Sequence, residues 1–228
     1  MASPELPSPI RAELLGRAWW CTCLRYICIC AVAVILCTIF FVSALAGGVP
    51  SLVEERLEAV RKTPTDPRAR LELGIAYYEV DEYEFALAEL VEAIKLNPEN
   101  KDNLSARANF HLGNVLLSLD RPALATNAYR EALRLGWKEP DVYLALGDTL
   151  TGLGKFDDAI AQYREALRVS PGAYDAHAGL GLALEATGRL VEAEAHYELY
   201  LRSVPATEDH GVEAIKQRLA KLKERQKM

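Results

Sequence analysis

The chain has 228 residues, of which 50% are hydrophobic and 25% are charged. This balance is typical of a folded protein and excludes a chain that is disordered throughout. The formal net charge of −6 disfavours nucleic acid as a partner, because phosphate binding needs a basic surface.

The first predicted element is one transmembrane helix over residues 26–48. The sequence has no charged residue from Tyr26 to Val53. About twenty residues at about 1.5 Å each give about 30 Å, which is the hydrocarbon thickness of a bilayer. Trp19 and Trp20 lie just before the span, where aromatic belts form. We therefore expect a single-pass membrane protein.

Basic residues predict the orientation of this span. Arg11, Arg17 and Arg25 precede it, which favours a cytoplasmic location for residues 1–25. The rest of the chain is then periplasmic, at the inner membrane of a bacterium. Basic residues also follow the span from Arg56 onward, so the Lys and Arg count does not agree with this topology by itself.

A cleavable signal peptide is the alternative to a retained span. Ala44-Leu45-Ala46 has the small-x-small form of a cleavage site, and cleavage after Ala46 would release a soluble periplasmic adaptor. The apolar stretch is longer than the usual ~7–15 residues, which favours retention.

All five cysteines lie between Cys21 and Cys37. Residues i and i+2 of a helix point about 200° apart, so a Cys-x-Cys pair in a helix cannot place both sulfurs on one metal. Cys23, Cys30 and Cys37 recur every seven residues, and we expect them to form a helix-packing face in the membrane. Lipidation, redox chemistry and a plain apolar role remain open for the cysteines.

An internal repeat follows. Four segments share a Leu-Gly pair with an alanine twelve residues after the glycine, and the first step between glycines is longer than the two equal steps that follow. The glycines are Gly74, Gly113, Gly147 and Gly181, and the alanines are Ala86, Ala125, Ala159 and Ala193. Each glycine and its alanine are expected to lie where two helices touch. Pro98, Pro171 and Pro205 end three of the units.

This pattern resembles the tetratricopeptide repeat (TPR), a helix-turn-helix of about 34 residues. The resemblance implies an all-α fold, a right-handed superhelical solenoid of four repeats and a C-terminal capping helix. The predicted bounds are a linker helix over 51–64, repeats over 67–100, 106–139, 140–173 and 174–207, and a cap over 208–228. Asp66 and Pro67 supply an N-cap and a first-turn proline for the first repeat.

Motifs for catalysis or metal binding are weak. The stretch from Gly152 to Lys155 lacks the spacing of a phosphate loop and falls at the turn of the third repeat. The four histidines form no His-Glu-x-x-His motif, and His196 is expected to pair with Glu192 on the helix surface. Asn103-Leu104-Ser105 is formally a glycosylation sequon. We predict no enzyme, no metal and no cofactor.

The resemblance also implies a groove for partner proteins, lined by the first helix of each repeat. Transferred to this sequence, the groove positions include Arg68, Tyr78, Arg107, Phe110, Asn114, Asp141, Asp148, Asp175 and Glu185. One class of repeat binds a C-terminal carboxylate through Lys and Asn. Asn114 matches in type, but Leu71 and Phe110 stand where a lysine is wanted.

The layout resembles that of membrane-anchored bacterial TPR proteins that serve in complex assembly. It therefore predicts a scaffold that binds a peptide or helix of another protein in its groove. A permanent accessory subunit of a respiratory or photosynthetic membrane complex is the alternative, with the membrane helix as part of its interface.

Overall fold

The computed structural model describes residues 50–205 and 211–225. The predicted span, the segment 1–25 and the packing face of Cys23, Cys30 and Cys37 lie outside the described residues. Within the described residues, no helix is long and apolar enough to cross a membrane.

The described ranges contain α-helices and no strand, which confirms the all-α prediction. The helices are α1 Pro50–Lys62, α2 Pro67–Glu79, α3 Tyr83–Leu96, α4 Leu104–Ser118, α5 Pro122–Arg134, α6 Pro140–Gly152, α7 Phe156–Val169, α8 Tyr174–Ala186, α9 Leu190–Ser203 and α10 Val212–Arg225. From α2 to α9 they pack as four consecutive pairs, and each second helix but the last also contacts the first helix of the next pair.

One turn recurs in all four pairs. A residue with positive φ follows the first helix of each repeat. In chain order these residues are Asp81, Asp120, Gly154 and Gly188, with φ of 61°, 56°, 71° and 78°. The amide after it donates back to the helix, as in Lys155 N to Leu150 O at 2.8 Å. Gly, Asn and Asp tolerate this backbone conformation best. The stretch from Gly152 to Lys155 is therefore a helix-helix turn.

The repeated glycines make room for a side chain of the partner helix. The four alanines are fully buried, as expected, but the space at each glycine is taken by the residue four positions after the alanine. These residues are Leu90, Tyr129, Tyr163 and Tyr197. A Cβ on Gly147 would lie 2.7 Å from Cε1 of Tyr163, so any larger residue there would displace the ring.

The longer first step is a polar connection between α3 and α4. Residues Lys101–Asn103 form a 3-10 turn, and α4 begins at Leu104, two residues before the predicted boundary. The Asn100 side chain donates to the Leu135 carbonyl at 2.9 Å, which ties this connection to the end of α5. The inserted residues therefore link two successive repeat ends.

One helix precedes the array in the chain and another follows it. At the start of α2, the Asp66 carboxylate accepts the Arg68 amide at 2.9 Å, which confirms the predicted cap. At the other end, α10 packs against α9 and buries Ile215 and Leu222. Lys223 of α10 pairs with Glu198 of α9 at 2.8 Å.

Candidate protein-binding groove

The nine predicted groove residues lie on the four first helices, α2, α4, α6 and α8. These helices contact one another from each repeat to the next, whereas the second helices contact mainly first helices and α10. The first helices therefore form one continuous face of the array.

Two polar groove residues are held by tyrosines of the second helices. The Tyr129 hydroxyl donates to Oδ1 of Asn114 at 2.7 Å, and the Tyr163 hydroxyl donates to Oδ1 of Asp148 at 2.7 Å. Each ring fills the space beside a repeated glycine of the first helix, Gly113 or Gly147, which we call a glycine notch. Both rings are nearly fully buried. Burial and, for Tyr163, the Asp148 carboxylate raise the pKa of these tyrosines, so the hydroxyls stay protonated and keep donating.

Glu185 is held in the same way at the end of the array. It accepts a hydrogen bond from the Tyr197 hydroxyl at 2.7 Å, and Nη1 of Arg218 on α10 lies 3.3 Å from the same oxygen. The capping helix therefore contributes directly to the last part of the groove face.

The first repeat lacks this arrangement. Leu90 fills the notch of Gly74 and has no hydroxyl, and the residue equivalent to Asn114 is Ile75. Tyr78 packs near Tyr83, with 5.8 Å between ring centroids. The predicted groove face is therefore apolar at this end and polar in the later repeats.

Ion pairs partly neutralise the two arginines in the first half of the predicted groove. Arg107 lies 3.0 Å from Glu72 of the preceding repeat, and the more exposed Arg68 lies 3.6 Å from Asp102. Phe110 packs near Tyr129, with 6.0 Å between the centroids. Leu71 is only 1% exposed and belongs to the core, so it does not line the surface.

The later half is acidic. Asp141 and Asp175 are exposed in the first turns of α6 and α8. The pKa of Asp148 is raised by partial desolvation of its carboxyl, although the hydrogen bond from Tyr163 opposes that shift. The Asp148 carboxylate is therefore less well hydrated than a fully solvated one, and an added cation or donor would stabilise it.

Two histidines form a pair that sequence reasoning missed. Nδ1 of His177 lies 3.0 Å from Nδ1 of His196, and burial lowers the pKa of both rings. The predicted pair of His196 with Glu192 is wrong, because the Glu192 carboxylate lies 2.7 Å from Arg189 instead. One turn of helix separates Glu192 from His196, but the arginine offers a stronger charged partner.

Alignment of the four repeats could have predicted this histidine pair. Arg70 and Glu89 occupy the equivalent positions in the first repeat, and they form an ion pair at 2.7 Å. These two positions therefore meet in both the first and the fourth repeat. In the part of the chain that the structure describes, no three His, Cys, Asp or Glu side chains form a metal-binding group.

The sequence matches a known family model, and the fold matches solved structures. Residues 71–140 and 144–207 match the family model TPR_16, tetratricopeptide repeat. No curated protein matches the chain. A crystal structure of MamA is 25% identical, with a TM-score of 0.62, and the match covers 71% of this chain and 91% of MamA.

Two further solved structures share the fold. YrrB, described as a TPR protein with an unusual peptide-binding site, is 21% identical with a TM-score of 0.66, over 77% of this chain and 85% of YrrB. MamA from Desulfovibrio magneticus RS-1 is 20% identical with a TM-score of 0.61, over 72% and 90% of the two chains. Because the family model matches more than half of the sequence, the chain belongs to the tetratricopeptide repeat family.

Proposed function

We propose that this protein is a membrane-anchored scaffold that holds a segment of another protein during assembly of a membrane or periplasmic complex. The observation that carries this proposal is the set of polar groove side chains fixed from behind by buried tyrosines. Side chains whose rotamers are already fixed lose less entropy when a partner binds, so the face is pre-organised for recognition.

The hydrogen bonds also indicate what each groove residue offers a partner. Since Oδ1 of Asn114 already accepts from Tyr129, its amide NH2 group is left to donate to a carbonyl or carboxylate. Asp148 keeps one oxygen for a backbone amide or a basic side chain. The apolar end near Tyr78 suits a hydrophobic side chain. An extended segment with these features in order would fit the face.

The similarity to YrrB supports a peptide as the ligand, since that protein is described as having a peptide-binding site. A TPR scaffold of this kind needs no catalytic residue. Its partners are other proteins, and nucleic acid is disfavoured by the acidic charge.

Anchoring is the second part of the proposal. The uncharged stretch from Tyr26 to Val53 supports a single inner-membrane span, with the repeats in the periplasm. Protease added to cells with a permeabilised outer membrane is expected to degrade the repeats. Full protection of the repeats would reverse the topology.

Quantitative co-purification tests the groove. The full-length protein is isolated from gently solubilised membranes, and partners are quantified by mass spectrometry for wild type, Asn114→Ala with Asp148→Ala, and the control Asp158→Ala. Asp158 is an exposed residue on α7 that lies 3.8 Å from Arg130, outside the first helices. We expect the double variant to lose partners that the control keeps, at unchanged helicity.

Equal recovery from the double variant and wild type would remove the groove from the proposal. The stoichiometry of the partners decides a further point. A constant set at fixed ratio would identify a permanent accessory subunit, whereas a varied set below one copy each would identify an assembly factor.

A further inference from the structure

The fourth repeat brings two imidazole rings into direct contact. His177 lies on α8 and His196 on α9, and these two helices pack against each other. The Nδ1 atoms are 3.0 Å apart, and the two ring centroids are 5.3 Å apart. The pair therefore connects the first helix of this repeat to its second helix through two nitrogen atoms.

The equivalent positions of the other repeats hold different side chains. In the first repeat they are Arg70 and Glu89, whose charged groups meet at 2.7 Å. The remaining pairs are Asn109 with Ala128 and Tyr143 with Gln162. Among the four repeats, only the fourth therefore places two imidazoles, which are common transition-metal ligands, at these positions.

The separation of the two nitrogens matches that of two neighbouring ligands of one metal ion. An imidazole nitrogen binds such an ion at about 2.0–2.1 Å. Two nitrogens 3.0 Å apart then subtend an angle of about 90–100° at the ion. A tetrahedral ion would need about 3.3–3.4 Å between them. An angle near 90° is typical of square-planar or tetragonal sites, which Cu²⁺ and Ni²⁺ prefer.

The protonation of the pair permits coordination by both rings. Burial lowers the pKa of His177 and of His196, so both rings are neutral at neutral pH. Without a metal, one Nδ1–H donates to the other Nδ1. Coordination requires only that this proton moves to Nε2 of the same ring, so the ring changes tautomer and releases no proton.

Charge near the pair opposes a cation only weakly. Arg164 of α7 and Glu192 of α9 both act on His196, and they lie 3.4 Å apart as an ion pair. Arg189 lies 2.7 Å from the same glutamate, so one positive charge is left over. The side chains of these three charged residues are 38% to 50% exposed, and water therefore screens that charge.

We propose that His177 and His196 bind one divalent transition-metal ion through their Nδ1 atoms, and that Cu²⁺ is the preferred ion. Cu²⁺ forms the most stable complexes of the divalent series with such ligands. The ion joins α8 to α9, and water supplies its other ligands, because no third His, Cys, Asp or Glu completes a metal-binding group among the described residues. Neither histidine is a predicted groove residue, so this site is independent of the proposed function.

Copper titration of the full-length protein in detergent tests this site. The five cysteines also bind copper, so they are first alkylated with N-ethylmaleimide. Electron paramagnetic resonance at one equivalent of CuSO4 then measures bound Cu²⁺ and its nitrogen ligands. We expect the spectrum of a tetragonal site with two imidazole nitrogens. We also expect Cu²⁺ to raise the melting temperature more than Zn²⁺ does, since tighter binding to the folded state stabilises it more.

Removing either imidazole is expected to weaken binding. His177→Gln and His196→Gln are each expected to lower the Cu²⁺ affinity at least about tenfold, since even an outer-shell partner of a metal ligand often contributes that much. His111→Gln is the control, because His111 lies on α4 outside the pair. We expect this control to bind Cu²⁺ as tightly as wild type.

A charge-pair variant separates loss of the metal from loss of the fold. His177→Arg with His196→Glu introduces the two side chains that pair in the first repeat, so α8 and α9 keep a polar contact. We expect wild-type helicity by circular dichroism, and we expect no rise in melting temperature with Cu²⁺.

Several results would overturn the proposal. If wild type binds no Cu²⁺, or if its spectrum lacks two nitrogen ligands, the histidines are a hydrogen-bonded pair alone. If the affinity is unchanged in either single variant, or if the charge-pair variant binds as tightly as wild type, the ion is held elsewhere. An equal loss of affinity in His111→Gln, or a larger rise in melting temperature with Zn²⁺ than with Cu²⁺, would also contradict the proposed site.

Discussion

The first and third repeats use one backbone pattern with different chemistry. In the first repeat, Leu90 fills the notch of Gly74, and it makes only apolar contacts there because it has no hydroxyl. In the third repeat, the ring of Tyr163 fills the notch of Gly147 and its hydroxyl reaches Asp148 on the groove face. The difference shows that two residues, one on each helix of the repeat, together decide whether the core is coupled to the binding face.

The third repeat is also coupled to the fourth. A Cβ on Gly179 of α8 would lie 2.5 Å from the Tyr163 ring, so the ring is held between glycines of two repeats. The largest expected effect in this comparison follows from that position.

Replacing Tyr163 with Ala is expected to lower the free energy of unfolding by about 4 kcal/mol, because it leaves a cavity between two repeats. Leu90→Ala removes fewer atoms and is expected to cost about 3 kcal/mol. Urea denaturation followed by circular dichroism measures both. A smaller loss for Tyr163→Ala than for Leu90→Ala would contradict the coupling between repeats.

Low pH is expected to weaken the contact between the first and second repeats. His111 lies near Glu72 and Arg107, and burial, followed by the Arg107 charge, lowers the pKa of His111 to about 4. In the unfolded chain, His111 binds a proton with the ordinary pKa of 6.5. The contribution of neutral His111 to the free energy of unfolding is therefore fully present above pH 6.5, and it falls as the pH drops toward 4.

The expected loss from this one group is about 2 kcal/mol at pH 5. Denaturation midpoints between pH 7 and pH 5 measure it, and His111→Gln is the control. The variant is expected to flatten this part of the pH dependence. An equally steep curve in His111→Gln would show that another group is responsible.

Replacing Gly147 or Gly74 with alanine compares a rigid neighbour, the Tyr163 ring, with a more flexible one, the Leu90 side chain. Gly147→Ala is expected to cost about 1–2 kcal/mol, because overpacking against the Tyr163 ring exceeds the gain in helix propensity of about 1 kcal/mol. For Gly74→Ala we expect a smaller loss, since Cγ and Cδ2 of Leu90, at 2.8 and 3.0 Å, shift more easily than a ring, and only the Leu90 backbone nitrogen at 3.3 Å is fixed. Equal losses of thermal stability in the two variants would disprove this distinction.

A conservative substitution isolates the contribution of the Tyr163 hydroxyl. Tyr163→Phe keeps the ring and removes only the hydroxyl that donates to Asp148, so we expect a loss of about 1 kcal/mol in the free energy of unfolding. The affinity for the partner is expected to fall by more than the loss of stability explains, because Asp148 no longer accepts the hydrogen bond that fixes its rotamer. Tyr143→Phe on α6 is the control, since Tyr143 lies outside the notches. Unchanged binding would leave the hydroxyl with a structural role alone.

Sequence was sufficient for the repeats because their register is set by small residues. The glycine and alanine spacing predicted the four helix pairs, and Asp66 with Pro67 predicted the start of α2. The same spacing did not reveal which side chain meets each glycine, since an alanine and a tyrosine of the second helix both lie on the inner face.

The groove was harder to predict because its polarity depends on pairs of side chains from different helices. Asn114 was expected in the groove by position, but its bond to Tyr129 depends on the ring crossing the notch beside it. Arg107 was counted as a basic groove residue, although a glutamate of the preceding repeat pairs with it. Such partners lie far apart in the sequence and become neighbours only in the folded array.

The polar connection before α4 restricts when the chain can be modified. Asn103 is exposed, but Ser105, the third residue of the glycosylation sequon, is 3% exposed and its hydroxyl donates to the carbonyl of Asn97. An enzyme that must engage this hydroxyl can act only on a chain in which the first turn of α4 has not yet formed. Sugar attachment at Asn103 would therefore be limited to nascent protein and would report how quickly the second repeat folds.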